Sequence, residues 1–449
     1  MHRDGEERGG AQGLPGSRSG VERPDEASSE GAVDANGAPV AWQRYVALFF
    51  LAGVFESMGF GHLGAFTPLY LGQLHVTGHA VALWTGILGS IGWVIGIPMI
   101  PLWGVWAETV GRKFVIVRSA YVEAVLFGIT AMAPNVWVLA GARLLSGLVV
   151  GNTGVMFAIQ SDVTPRKNLG QAVALVSAAS PVGMAIGPLL GAVIINATGI
   201  RSLLWLDSGL SLLSGALLTL FLHDVRVRPA AQGTTGTLIR RAVDTILRTS
   251  GVLPLFALSL AGNLGLQVVT PFVPILLGDL HRGPGLTSVI GVVLTVSGVA
   301  LALSTPLWGR VGDRIGYMTA LRAAAGGTAV FMILQALSPS LLPFAASRVV
   351  MSLFQGGISA LTTTLLAIRV PAERRAAVLN FSLLPMQFTW FLGPIVGAMA
   401  AQTGIRMAFW TGAGAALIAA ALALFLRMGQ EVEGHGHRAD PNAVVDSAL

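Results

Sequence analysis

The chain has 449 residues, a mean hydropathy of +0.70, 53% hydrophobic residues and only 11% charged ones. A soluble globular protein carries about 25% charged residues, so a chain this long with so few cannot cover its surface with polar groups. It contains no cysteine, which excludes a disulfide framework, a thiol nucleophile and a thiolate-ligated metal. The composition is that of a polytopic membrane protein.

Residues 1–40 hold eight acids, four arginines and no apolar run, so a disordered cytoplasmic tail without a signal-peptide core is expected there. The body of the N-terminal half, 41–222, carries apolar runs at 46–72, 80–103, 114–133, 136–160, 169–195 and 203–222. Runs of about 20 residues cross about 30 Å of hydrocarbon at 1.5 Å per residue. The stretch 223–250 is polar, with one apolar stripe of Leu238, Ile239, Ala242, Val243, Ile246 and Leu247. Arg240, Arg241 and Arg248 lie off that stripe, the pattern of an amphipathic linker helix on the inner leaflet or of a simple tether. A second set of six runs follows within 251–428, at 251–278, 286–308, 318–338, 341–368, 376–400 and 405–427. Residues 429–449 read as a second cytoplasmic tail, in which His435 and His437 are solvated rather than metal-binding. The fold class is therefore all-α, with twelve transmembrane helices in two six-helix bundles.

With both termini cytoplasmic, the inner connections hold fourteen basic residues and the outer ones three, Arg201, Arg282 and Arg406. That is a strong positive-inside bias. The basic net charge of +6 is thus a topology signal and not a nucleic-acid-binding patch. Arginine outnumbers lysine 26 to 2, which fits a bacterial source.

The halves repeat each other. Pro-Leu-Trp-Gly stands at 101–104 and 306–309, Thr-Gly-Ile-Arg at 198–201 and 403–406, and Arg143 recurs as Arg348, all 205 residues apart. Gly187, Pro188 and Gly191 recur as Gly393, Pro394 and Gly397 at an offset of 206. Two bundles sharing one orientation imply a pseudo-two-fold axis along the membrane normal, with a site between them near the midplane.

After the second run comes Gly104-Val-Trp-Ala-Glu108-Thr-Val-Gly111-Arg112-Lys113, and after the eighth Gly309-Arg-Val-Gly-Asp313-Arg314-Ile-Gly316. An acid at a helix start favours the positive end of the dipole, and a basic pair that bridges to it across the bundle interface latches one access state. The pattern resembles the inner-loop motif G-x-x-x-D-x-x-G-R-[KR] of the major facilitator superfamily, over about residues 41–428. Glu108 replaces the usual aspartate, and Tyr317-Met318 replace the basic pair in the second copy, so the latch is expected in the N half. Arg143, with Gly147 and Gly151 after it, resembles the family's R-x-x-x-G motif in the fourth span. Gly183, Gly187, Pro188 and Gly191 resemble the G-x-x-x-G-P-x-x-G motif of its exporting, antiporting branches. Glycines at i, i+4 and i+8 also make a flat face for any tight helix pair. The sugar-porter signature is not visible after the sixth span.

Ionisable groups inside spans are costly and functional by default. The acids among them are Glu56, Glu123 and Asp207, and their repeat mates are Gly262, Thr328 and Gly412. Burial opposes a carboxyl's charged form, so such a group takes up and releases a proton as its access changes. Glu56 is the first candidate for proton coupling or for attracting a cationic substrate, and Glu123 the second. Asp207 is a third, with solvation or pairing with Arg143 as its alternatives, and His62 is either a relay member or a hydrogen-bonded helix histidine. The resemblance implies for Arg143 a part in proton transfer. Substrate-cavity candidates besides Glu56 are Asn263, Gln267, Gln387 and Trp390, each of which alone reads more readily as an interhelical hydrogen bond or core residue than as a substrate contact.

The expectation is a non-enzymatic, monomeric secondary transporter in the bacterial inner membrane, without cofactor or metal, whose partners are protons, lipid and a lipophilic small molecule. It would export hydrophobic or cationic compounds in exchange for protons by alternating access. A proton-coupled importer of a metabolite and a non-transporting sensor or scaffold are the alternatives. No phosphate-binding G-x-x-x-x-G-K-[ST] loop is present, so ATP-driven pumping by this chain is excluded.

Overall fold

The computed structural model describes residues 41–223, 252–370 and 383–426, apart from the side chains at 101, 104, 105, 108 and 383–385. The two tails, the expected linker helix and the Glu108 side chain therefore lie outside the described residues. Among the described residues, twelve membrane helices follow one another. They are α1 (Trp42–Gln73), α2 (His79–Thr109), α3 (Arg112–Met132), α4 (Val136–Val163), α5 (Arg166–Thr198) and α6 (Ile200–Phe221). The second half holds α7 (Val252–Leu280), α8 (Leu286–Ile315), α9 (Tyr317–Leu337), α10 (Leu341–Arg369), α11 (Leu383–Ala401) and α12 (Ile405–Phe425). Eleven are long and apolar enough to cross a bilayer over their described length, and in α11 the apolar stretch is Met386–Ala401. Short connections force the helices up and down alternately. One face of the bundle thus carries the start of α1 and the 109–112 and 163–166 turns, and the other carries 73–79, 132–136 and 198–200. These are called the terminal and distal faces.

The repeat extends to backbone conformation. Gly111 and Gly316, 205 residues apart, both have positive φ (118° and 86°) and both precede a helix. A side chain there would be strained, so each tight α2–α3 or α8–α9 turn requires glycine.

Two of the helices are broken. In α4 the helix runs Val136–Leu145, tightens into a 3₁₀ turn at Ser146–Leu148 and restarts at Asn152–Val163 after Gly151, whose φ is +106°. In α7 a 3₁₀ turn at Thr270–Phe272 carries Pro271 at its start. The breaks are not repeat mates: α1 and α10 are continuous.

Each bundle packs mostly on itself, α1 against α5 and α3 against α6 in one, α7 against α12 and α9 against α10 in the other. The bundles meet along α5–α8 and α2–α11. The glycines of α5 explain the first of these arrangements. A Cβ on Gly183 would stand 2.5 Å from the Val54 carbonyl oxygen and one on Gly187 3.0 Å from that of Met58, so α5 lies backbone-close to α1. The other face of α5 meets α8, where a Cβ on Gly291 would stand 2.7 Å from the Pro188 carbonyl oxygen. Asn196 donates to Ser288 (2.8 Å) and the Leu189 amide to Thr295 (3.1 Å) along the same seam.

Burial differs between the faces. Towards the distal face one apolar cluster joins both bundles, with Phe66, Leu71, Leu203, Phe272, Leu277 and Ile290 all nearly inaccessible. Towards the terminal face there are two clusters, one within each bundle: Phe49, Ile116 and Leu218 in the first, Leu255, Leu321 and Leu361 in the second. The halves are thus sealed together distally and packed separately at the terminal end.

Gly183→Val is expected to destabilise the protein by about 1–3 kcal/mol through overpacking against a backbone that cannot yield. Gly209→Ala, at a position where a Cβ meets nothing within 4 Å, is expected to be neutral; thermal unfolding in detergent compares the two.

Candidate functional site

The deep carboxyls gather inside the N-terminal bundle. Glu56 on α1 and Glu123 on α3 line one cavity, closed by Ala52, Ile116, Ala120, Asn152, Met156, Ser214 and Leu218. Its volume is about 10 Å³, room for roughly one water molecule and far below the roughly 300–1,000 Å³ typical of sites for small organic ligands. It suits protons better than a drug.

Each acid has its own surroundings. Asn152 Nδ2 donates to Glu56 Oε2 at 2.7 Å. Glu123 is 6% exposed, and its Oε1 has no hydrogen-bond partner among the described residues. Asp207 on α6 is 2% exposed and pairs through Oδ1 with His62 Nδ1 at 2.8 Å. Neither solvation nor pairing with Arg143 describes Asp207: it lies seven residues inside its helix, facing α1, and His62 is its partner.

Arg143 lies on the last turn before the break in α4, half-buried, with Nε unpartnered among the described residues. A Cβ on Gly92 would stand 2.9 Å from its carbonyl oxygen, so α2 and α4 touch backbone to backbone there. Its repeat mate Arg348 is 4% exposed and reaches Thr270, at the break in α7, at 3.3 Å.

The inner-loop residues sit at the terminal face. Arg112 pairs with Asp162, at the end of α4, at 2.5 Å, and Lys113 donates to the Thr219 carbonyl of α6 at 2.8 Å. Both contacts stay within the N-terminal bundle, because Arg112 opens α3 beside the last turn of α4. The expected bridge to Glu108 lies outside the described residues, and Asp162 is a partner that sequence reading missed. In the second copy Asp313 accepts from Tyr317, one turn along, in place of a basic pair. Gly183, Gly187 and Gly191 serve the α1–α5 contact, and Pro188 sits within a continuous α5.

The cavity candidates of the C half do not join Glu56. Asn263 bonds back to Ser259 on its own helix (2.8 Å), and Gln267 packs against Gly393 of α11. Gln387 is half-buried, and Trp390 meets Trp93 of α2 across the bundle seam, ring centroids 4.9 Å apart. Sequence reading also missed Arg118, seven residues into α3. Its guanidinium stacks 3.3 Å from the Trp103 ring centroid, and its Nη1 donates to the Leu148 carbonyl at 2.6 Å. Three-residue or larger His/Cys/Asp/Glu groups fit to hold a metal are absent among the described residues.

A sequence profile of the Major Facilitator Superfamily matches residues 49–290 and again residues 255–446. The chain belongs to that superfamily. It is accordingly a multi-pass membrane transporter, not an enzyme. Among its relatives, multidrug resistance protein MdtG of Citrobacter koseri is 27% identical over 382 residues, covering 84% of this chain and 94% of its own. MdtG of Klebsiella pneumoniae is likewise 27% identical, covering 84% and 92%. The fold is shared with a nucleoside transporter, NupG (TM-score 0.69, 16% identity, 85% of this chain and 98% of that one). It is shared too with a bacterial homologue of the lysosomal transporter Spinster in an inward-facing, occupied form (0.69, 14%, 86% and 97%).

Replacing His62 with leucine leaves Asp207 buried without its partner, which is expected to cost about 3–5 kcal/mol. The double variant His62→Leu/Asp207→Leu is expected to regain most of that loss in thermal unfolding.

Proposed function

We propose that this transporter exports hydrophobic or cationic small molecules in exchange for protons, with Glu56 as the principal proton carrier. The observation that carries the reading is the pair Glu56 and Glu123 in one small cavity, in a half whose repeat mates at those positions are Gly262 and Thr328. A carboxyl held in a nearly dry bundle exchanges its proton only when the surrounding helices open to one side, which links protonation to access. Glu123 stands beside it as a second acceptor, and Asp207 with His62 lies farther towards the distal face. Arg143 assists at the α4 break, and Arg112 and Lys113 bind the terminal ends of α3, α4 and α6 together.

The compound itself sits between the bundles. The Trp93–Trp390 pair supplies aromatic faces on the α2–α11 seam, suited to flat or cationic molecules, and Asn263, Gln267 and Gln387 supply polar edges. The names of the MdtG relatives support the efflux reading. Basic residues at the terminal face, Arg112, Lys113, Arg166, Lys167 and Arg310 among them, support a cytoplasmic terminal face of an inner membrane. The distal seal between the halves then corresponds to an inward-facing arrangement, in a protein that works as a monomer.

Reconstituted vesicles with an imposed pH gradient test this. A lipophilic cation should move against the direction of proton flow, and Glu56→Gln should reduce that movement to the level of protein-free vesicles. Movement that ignores the gradient, or that runs with the protons, contradicts the reading.

A further inference from the structure

The interruption of α4 stands beside Glu56, and its parts fit one purpose. We infer that the break aims the Asn152 side-chain amide at Glu56, which makes Asn152 a positioning residue for the proton-carrying carboxyl and Arg118 the clamp that holds the break. The inference rests on the proton-carrier reading of Glu56.

The geometry runs from the clamp to the carboxyl. In an unbroken helix the carbonyls of Leu148 and Val149 would accept from residues 152 and 153, and within a bilayer a carbonyl deprived of its partner must find another. Here α3 supplies both: Arg118 Nη1 donates to Leu148 (2.6 Å) and Ser119 Oγ to Val149 (2.8 Å). Arg118 is itself fixed against Trp103, on which Gly151 also packs, a Cβ there standing 2.8 Å from Trp103 Cδ1. Freed from the upper segment, the lower helix restarts at Asn152. Its Oδ1 accepts from the Thr153 amide (2.9 Å), and its Nδ2 donates to Glu56. The side chain is 4% exposed, so both ends of the amide are committed.

The second half of the molecule serves as an internal control. Helix α10, the mate of α4, has no break. At the matching positions Arg118 and Ser119 become Ala323 and Ala324, Asn152 becomes Gly357, and Glu56 becomes Gly262. The break, its clamps, the amide and the carboxyl occur together in one half and are missing together from the other.

The chemistry follows from the amide being a donor only at Nδ2. An ionised Glu56 accepts that bond fully, and a protonated one accepts it more weakly, so α1 and α4 are held with different strength in the two states. The charged groups facing Glu56 are few. Helix α3 brings Glu123 in the same cavity and Arg118 at the break, α6 brings Asp207, engaged with His62 of α1, and α4 brings Arg143. Helix α5 meets α1 here through Ala179 opposite Gly53 and has no charged residue from 168 to 198. Helix α2 has none from 79 to 107 beyond His79 at the distal face.

Infrared titration of the purified chain in bilayers reads the carbonyl stretch of protonated carboxyls, and the component missing in Glu56→Gln belongs to Glu56. Removing a donor to the charged form favours proton uptake, so Asn152→Leu should move that component's midpoint upward by about one pH unit, tenfold in proton concentration. Arg118→Lys keeps the charge but loses the forked donor, and should move the midpoint the same way. The double variant should move it no further than Asn152→Leu alone, since both act through one contact. Ser119→Ala gives a second, uncharged test of the clamp. An unmoved midpoint in Asn152→Leu, or shifts that add in the double variant, overturns the inference. The band needs no substrate: if it behaves as described while transport ignores the pH gradient, the proton-carrier reading falls and what stands is the hold of Asn152 on the Glu56 carboxyl. Gradient-driven transport with an unmoved band overturns this inference alone.

Discussion

Inside a bilayer a polar atom finds no water, and each one left without a partner costs several kcal/mol. That constraint shapes what these helices do with their few polar groups. Tyr70 donates to the Thr130 carbonyl at 2.6 Å, Ser208 to that of Ala124 at 2.7 Å, and Arg118 and Ser119 take up the carbonyls freed by the broken helix α4. Against this background the unpartnered buried atoms stand out. Glu123 Oε1, Asp207 Oδ2 and Arg143 Nε in the first half are among those without a partner in the described residues.

The second constraint is closeness. Small residues let α5 approach α1 on one face and α8 on the other, and Gly86 and Gly89 let α2 approach Pro394 and Ala398 of α11. Where two helices meet through glycine, few interlocking side chains obstruct a change of angle. The seams α5–α8 and α2–α11 are therefore suited to rocking, while the distal cluster shared by both halves holds the present arrangement. The halves differ: the deep acids Glu56, Glu123 and Asp207 and the break in α4 lie in the first, and the second carries Gly262, Thr328 and Gly412 at the matching acid positions.

Much of this was legible in the sequence because membrane thickness sets helix length and the repeat offset locks the two halves in register. The runs matched the described helices to within a few residues, apart from the extension of α2 and α8 past their expected ends into the inner-loop motifs and the start of the eleventh run at 376, which lies outside the described residues. The three deep acids were also legible, since charge is rare in such spans. Their partners were not. His62 and Asp207 are 145 positions apart and meet only because α1 and α6 pack together, and Asn152 reaches Glu56 only because α4 breaks at Gly151. That break has no proline to announce it. Arg118 was overlooked because it lies five positions beyond the Arg112-Lys113 pair and reads as part of the same basic end. The Arg112–Asp162 contact likewise depends on how α3 and α4 align at the terminal face, which spacing along the chain does not reveal.

The central proposal is that Glu56 carries the proton exchanged for the compound, so that binding of the compound favours release of that proton. Proton release from the purified protein in weakly buffered solution measures this directly when a lipophilic cation is added. The account expects release from the parent chain and none from Glu56→Gln. Equal release from both, or none from the parent, would contradict it.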